Sequence, residues 1–316
     1  MHTSSSTYHT SFGEMLFLQE IFPGCPMLGY AEYYYRAHGA DVGFDPELAI
    51  SQTDFPRIRL KNALTLSCLD QCVTAYAPTQ WQRNTFPEAY HGKITVVHDG
   101  VDTRLLRRNA SAVLSLPEGR TLSRRMPIVT FAARSLEHYR GFHKFWPALA
   151  LVLARNAKAH AIIVGSDDVT YGPAASAEPL RERMLSLFPA DLSRVHFFPS
   201  LDRASYIRML QISSCHVYLT YPFVPSWSLL EAMACGAPVI ASDVGPVNEL
   251  ADHTSCIRVD FFDTDGLANA MQEVLAAPDK YETMRTTAAA RVRRLYDFDR
   301  ISWPRLRQLI HEAIRL

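Results

Sequence analysis

The chain has 316 residues, 48% apolar and 20% charged, with 32 Lys+Arg against 32 Asp+Glu. That balance fits a folded chain of one large or two ordinary domains and excludes disorder or a fibrous repeat as the main state. The lack of a basic excess argues against a nucleic-acid partner, and six cysteines without a C-x-x-C pair indicate neither a zinc site nor a disulfide framework but reduced thiols in a cytoplasmic protein.

The opening MHTSSSTYHTS lacks the basic start and continuous apolar stretch of a signal peptide. FGEMLFLQEIF (12–22) is amphipathic, MLGYAEYYYR (27–36) reads as an aromatic strand, and HGADVGFDPE (38–47) as a Gly/Asp/Pro-rich loop. A helix around 57–70 and strands at 72–77 and 93–98 follow, together about half of an α/β domain. HDGVDTRLLRRN (98–109) carries the turn residues of a connector and puts the domain boundary near residue 108. Arg104, Arg107, Arg108, Arg120, Arg124 and Arg125 gather beside it, read as a solvated linker with membrane-surface attachment as the alternative.

From Met126 onward, short apolar runs alternate with helical patterns, the signature of βαβ units around a parallel sheet. The runs are PIVTFAA (127–133), AHAIIVG (159–165), RVHFFPS (194–200), CHVYLT (215–220), APVIAS (237–242) and SCIRVD (255–260). Helices are predicted at about 141–156, 177–188, 203–212, 227–235, 246–252 and 264–276, completing a doubly wound domain. The longest apolar run, FWPALALVLA (145–154), is far short of the ~20 residues a spanning helix needs. Two helical segments follow residue 279, the last with Trp303, Leu306, Leu309, Ile310 and Ile314 on one stripe.

Three stretches carry chemistry. In VYLTYPFVPSWSLLEAMACGAPVIASDVGPVNELAD (217–252), a strand leads through Pro225-Ser226 into a helix opening at Trp227 to Leu230, with Ser226 as the N-cap. A helix N-terminus at the carboxyl end of a parallel strand is where phosphates bind in such sheets. Glu231, one turn in, is placed to accept sugar hydroxyls, or simply answers the helix dipole. In AARSLEHYRGFHKFWPAL (132–149), Arg134 and Arg140 flank a strand end and either face one crevice or are surface charges. In GSDDVTYG (165–172), Gly165 sits where a backbone approaches a ligand, and Asp167 and Asp168 read as a solvated turn rather than a metal site.

LLEAMACGAPVIASDVGPVNEL closely resembles the donor motif of retaining family 4 glycosyltransferases with the GT-B fold, and TYPFVPSWSLLEAM (220–233) is similar to the segment of a bacterial subgroup. The resemblance implies an α/β, GT-B type chain of two Rossmann-like domains, the first incomplete and the second a complete doubly wound parallel sheet. It implies that Glu231 holds the nucleotide ribose, that the Ser228 and Leu229 amides meet the diphosphate beside Ser226, Trp227 and Leu230, and that Glu249 completes the motif. Arg134 matches the family's Arg and Arg140 stands where Lys is usual, so both would neutralise the departing diphosphate. Phe223 replaces a Glu that touches the donor sugar in the family, and Pro246 replaces a Gly.

On the first-domain side, HTSFGEMLFL (9–18) resembles a segment facing the donor, which makes His9 a catalytic candidate. Phe12, Gly13, Glu14, Glu32 and Tyr34 are candidates for the cleft and acceptor side. The implied domains are 1–108, 109–295 and a C-terminal helix, 296–316, crossing back to the first. The expected protein is a metal-independent, cofactor-free glycosyltransferase using a UDP- or GDP-sugar and a glycan or lipid-linked acceptor. It would be cytoplasmic, with contact at the inner membrane surface and self-association through the first domain left open. A non-catalytic nucleotide-sugar-binding module and a nucleotide-sugar epimerase are the alternatives.

Overall fold

The computed structural model describes residues 7–48, 50–171 and 178–315, without the side chains of Thr7, Tyr8 and Phe12. The cleft candidate Phe12, as a side chain, and Gly172 at the end of GSDDVTYG therefore lie outside the described residues. The chain divides into two compact units: one comprises residues up to Gly100, Pro222–Val224 and Tyr296–Leu316, the other Val101–Tyr221 and Pro225–Leu295.

The first unit is built on four parallel strands in sequential order, β1 (Thr7–His9), β2 (Leu28–Tyr30), β3 (Thr74–Ala77) and β4 (Ile94–Val96). Its helices are α1 (Leu18–Ile21), α2 (Asp54–Gln71), α3 (Gln80–Thr85) and α11 (Trp303–Arg315). Leu309 of α11, flanked by Leu306 and Ile310, closes a cluster with Leu28, Tyr76 and Val97 from β2, β3 and the end of β4. Of the stripe read in the sequence, Leu306, Leu309 and Ile310 make the face that α11 buries, whereas Trp303 and Ile314 are exposed. The amphipathic stretch 12–22 is mostly turns, with an α-helix only over Leu18–Ile21. One expectation is corrected. The aromatic run 27–36 is a strand only over Leu28–Tyr30. Beyond it the backbone is held by side chains: Thr85 Oγ1 accepts the Tyr34 N–H (3.1 Å) and Asn62 Oδ1 the Tyr35 N–H (3.0 Å).

In the second unit all six predicted strand runs form one parallel sheet in the order β12-β11-β10-β7-β8-β9. They are β7 (Ile128–Ser135), β8 (His160–Ser166), β9 (Val195–Phe198), β10 (Cys215–Tyr218), β11 (Val239–Ser242) and β12 (Ile257–Val259). Between and after them come α4 (Phe142–Arg155), α5 (Leu180–Leu187), α6 (Arg203–Ile212), α7 (Ser228–Ala234), α8 (Gly245–Leu250), α9 (Thr264–Ala276) and α10 (Glu282–Leu295). The central strands β10 and β11 are buried throughout, which is why they read as continuous apolar runs.

The arginine-rich stretch is not simply a solvated linker. It contains an antiparallel hairpin, β5 (Val113–Ser115) and β6 (Thr121–Ser123), whose Leu114 and Leu122 are buried. Arg108 reaches Glu282 at the start of α10 through both terminal nitrogens. No described helix is long and apolar enough to cross a membrane.

Candidate functional site

The sheet of the second unit runs outward from β7 in two directions, to β8 and β9 on one side and to β10, β11 and β12 on the other. Where strand order reverses, the connections leave for opposite faces and open a crevice at the carboxyl ends of the strands. Here those ends are Ser135 of β7 and Tyr218 of β10, and the two arginine- and serine-bearing segments singled out in the sequence follow them directly.

After β7 the chain makes a tight turn over His138–Arg140 and enters α4 through Gly141, whose φ is 71°. A Cβ there would lie 2.5 Å from that of Leu219, so only glycine lets the turn sit against the end of β10. The turn buries Arg140, whose Nη1 donates to Thr220 Oγ1 at 3.1 Å and whose guanidinium lies 5.5 Å from the Tyr171 ring centroid. Tyr221 N–H donates to the Tyr139 carbonyl at 3.1 Å, tying the same turn to the end of β10. Arg134 is exposed, and its guanidinium makes no hydrogen bond or ion pair among the described residues.

Glu137, between the two arginines, was not singled out in the sequence. It is buried, and its Oε2 accepts the backbone N–H groups of Thr170 (2.8 Å) and Tyr171 (2.9 Å), while Oε1 has no hydrogen-bond partner among the described residues. Burial pushes its carboxyl up, opposed by those two N–H groups and by the neighbouring arginines. Glu137 thereby fastens the loop after β8 to the arginine turn and sets Tyr171 over Arg140. Because one oxygen takes both bonds, Glu137→Gln is expected to keep the loop in place, whereas Glu137→Ala should cost about 2–3 kcal/mol of stability, the scale of bonds to a charged group. Thermal unfolding of the two variants checks this.

The loop after β10 is drawn inward by Tyr218, whose buried hydroxyl accepts the Ser226 N–H at 2.6 Å. The helix expected to open at Trp227 with Ser226 as its cap instead has Trp227 in the cap position and begins at Ser228. Ser226 still serves the helix start: its Oγ accepts the Ser228 N–H at 3.3 Å and its carbonyl the Leu229 N–H at 3.4 Å. Ser228, Leu229 and Leu230 are buried, and Trp227 is exposed. Glu231 is buried one turn in, its carboxylate held by α6, where Tyr206 donates to Oε2 at 2.7 Å and Arg203 Nη1 pairs with Oε1 at 2.7 Å. Burial and the adjacent Glu231 both push the Tyr206 hydroxyl well above its ordinary value, so it stays a donor.

Gly165 is buried at the end of β8, and a Cβ there would meet Leu136 at 2.8 Å and the Ala133 carbonyl at 3.1 Å. The space on its Cβ side is filled by the chain itself. Asp167 pairs with Arg181 at 2.6 Å, and Asp168 is exposed. Glu249 lies half-buried in α8, its carbonyl accepting from Arg291 at 3.2 Å.

In the first unit, His9 Nδ1 accepts the Ser11 N–H at 3.0 Å, which leaves the proton of the neutral ring on Nε2, 2.8 Å from Glu32 Oε2. Gly13, at φ 74°, ends that turn, and Glu14 Oε2 accepts the His9 N–H at 3.4 Å. Four first-unit candidates, His9, Gly13, Glu14 and Glu32, are therefore brought together. Tyr34 is not among them: its ring packs on Phe86 at 5.7 Å against the core. Phe223 is buried against the Tyr33 ring at 4.8 Å, as part of an aromatic group rather than an open contact. Tyr33 was missed in the sequence, as were Tyr206, Thr220 and Tyr171; what joins them to the candidates is tertiary placement, for which spacing carries no signal.

Comparison with known proteins bears on the family and the fold. Residues 7–106 match the model of the glycosyl transferase family 4 group, and residues 119–291 that of the glycosyl transferases group 1. A curated relative, D-inositol 3-phosphate glycosyltransferase of Mycobacterium avium (strain 104), is 27% identical over 253 residues, 77% of this chain; the chain spans only 55% of that relative's length. Among solved structures, sucrose-phosphate synthase from Thermosynechococcus elongatus superposes with a TM-score of 0.73 at 21% identity, over 98% of this chain and 74% of its own. Anabaena HepE in complex with UDP-glucose gives 0.68 at 19% identity, over 98% and 78%. The fold is GT-B.

Proposed function

The chain belongs to the glycosyl transferases group 1, and from that membership we propose that it transfers a sugar, with retention of configuration, from a nucleotide-activated donor. The observation that carries this reading is the convergence of Arg140 and the start of α7 on the end of β10, at the point where the strand order reverses. Glu231 holds the ribose, and the diphosphate lies between the first turn of α7 and the two arginines. As the glycosidic bond breaks, negative charge grows on the departing diphosphate; Arg134 and Arg140 meet it with fork-like, charge-assisted bonds.

The long bonds from Ser226 to the Ser228 and Leu229 amides are weak enough to be exchanged for phosphate oxygens. UDP- and GDP-sugars are the favoured donors, with HepE's UDP-glucose complex supporting UDP. The reading needs no metal or cofactor, because the leaving group's charge is met by guanidinium groups. The acceptor, a glycan or lipid-linked sugar, is assigned to the side of the first unit where His9 and Glu32 meet.

Incubation with UDP-, GDP- and ADP-sugars, with and without candidate acceptors, tests the proposal through nucleotide release. Acceptor-stimulated release from one donor is the expected result. Nucleotide binding without release under any condition would replace it with the binding-module reading.

A further inference from the structure

Both oxygens of the Glu231 carboxylate are already engaged by side chains one turn apart on α6, and the two partners stand in different surroundings. Tyr206 is held in the interior and approaches Oε2 at 2.7 Å as a hydroxyl kept protonated by its burial. Arg203 approaches Oε1 at 2.7 Å, but its side chain is 52% exposed where that of Glu231 is 8% exposed. Oε1 is therefore the oxygen on the open side. Arg203 is also the first residue of α6, where the partial positive charge of the helix N-terminus disfavours a cation. Its guanidinium lies 5.6 Å from the Tyr206 ring centroid, a contact it can keep after letting go of the carboxylate.

Resting on the ribose reading of Glu231 given above, we infer that Arg203 is a displaceable occupant of the nucleotide's ribose position, and that Tyr206 is a fixed positioning residue for the same carboxylate. On binding, the Arg203–Oε1 contact is exchanged for a ribose hydroxyl donating to Oε1, and the Tyr206–Oε2 bond persists through the exchange. A carboxylate offers about four lone-pair sites, but a ribose diol straddling both oxygens needs the open edge that Arg203 covers.

Two neighbours of one carboxylate then act on affinity in opposite directions. Arg203→Gln is expected to bind nucleoside diphosphate about two- to five-fold more tightly, since a half-exposed ion pair is a weak competitor. The gain should shrink in high salt, where the wild-type ion pair is screened and no longer competes. Tyr206→Phe keeps the ring, loses the hydroxyl, and should bind about ten-fold more weakly at any salt.

The experiment is calorimetric titration of the full chain and the Arg203→Gln, Tyr206→Phe and Glu231→Gln variants with UDP and GDP, and with inorganic pyrophosphate, which has no ribose. The expected pattern is opposite shifts for Arg203 and Tyr206 with the nucleotides and none with pyrophosphate. If Glu231→Gln leaves nucleotide affinity unchanged, the ribose reading fails and takes this inference with it. If Glu231→Gln weakens binding while Arg203→Gln fails to tighten it, or shifts pyrophosphate equally, the ribose reading stands and the displaceable Arg203 is overturned.

Discussion

Arg140→Ala is expected to lower kcat/KM for sugar transfer by about 10²–10³, the scale of losing one preorganised group that meets developing charge. Arg140 is buried at the turn after β7, fixed by Thr220 Oγ1 and covered by Tyr171, so its guanidinium needs no reorganisation when charge appears. Its effect should fall on the chemical step, with kcat dropping as far as kcat/KM, because the charge it answers is largest in the transition state. Arg140→Lys should keep most of the rate, since a lysine is the usual residue at the matching position of the family motif. The exposed Arg125→Ala is the control for nonspecific loss of positive charge. Equal losses for Arg125→Ala and Arg140→Ala in steady-state assays would remove Arg140 from the site.

Glu231→Ala should weaken nucleoside diphosphate binding by about 1.5–3 kcal/mol, or roughly 10- to 150-fold, the range for hydrogen bonds to a charged group. The substitution also strands the Tyr206 hydroxyl and releases Arg203, so melting temperature is expected to fall as well. Glu231→Gln separates the two effects, because its amide oxygen can still accept from Tyr206 while the charge is gone. Calorimetry on both variants, at a temperature where each is folded, gives the binding loss. Unchanged affinity in the folded Gln variant would mean that the carboxylate serves only the packing of α7 on α6.

The second unit was legible because its chemistry and its periodicity coincide. Strands buried on both faces, such as Val239–Ser242, read as short continuous apolar runs, told from helices by their length and by the turn residues that punctuate them. The first unit was harder for a physical reason. Tyr30 to Arg36 have the aromatic content of a strand, yet past Ala31 the Tyr34 and Tyr35 N–H groups go to the side chains of Thr85 and Asn62, far along the chain, rather than to a neighbouring strand. The six-residue α3 and the three-residue strand β1, like β5 and β6 of the second unit's hairpin, are too short for any periodicity to register.

The site followed the same division. Arg134, Arg140 and Glu231 could be nominated because a motif marks them, but Glu137 and Tyr206 act through partners that only folding supplies. At Gly165 a glycine makes room without saying for what, and Leu136 lies where its Cβ would be.

The helix that closes the Leu28, Tyr76 and Val97 cluster is made after the strands it covers, with the whole second unit between them. During synthesis at about 5–20 residues per second, the sheet of the first unit waits roughly 10–40 s for α11 to leave the ribosome. Through that interval Leu28 and Val97 face water or a chaperone, and the second unit, contiguous but for three residues, can fold before the first is finished. The nascent chain thus matures out of order, and a messenger cut short before Trp303 would release a protein whose first-unit strands never acquire their cover.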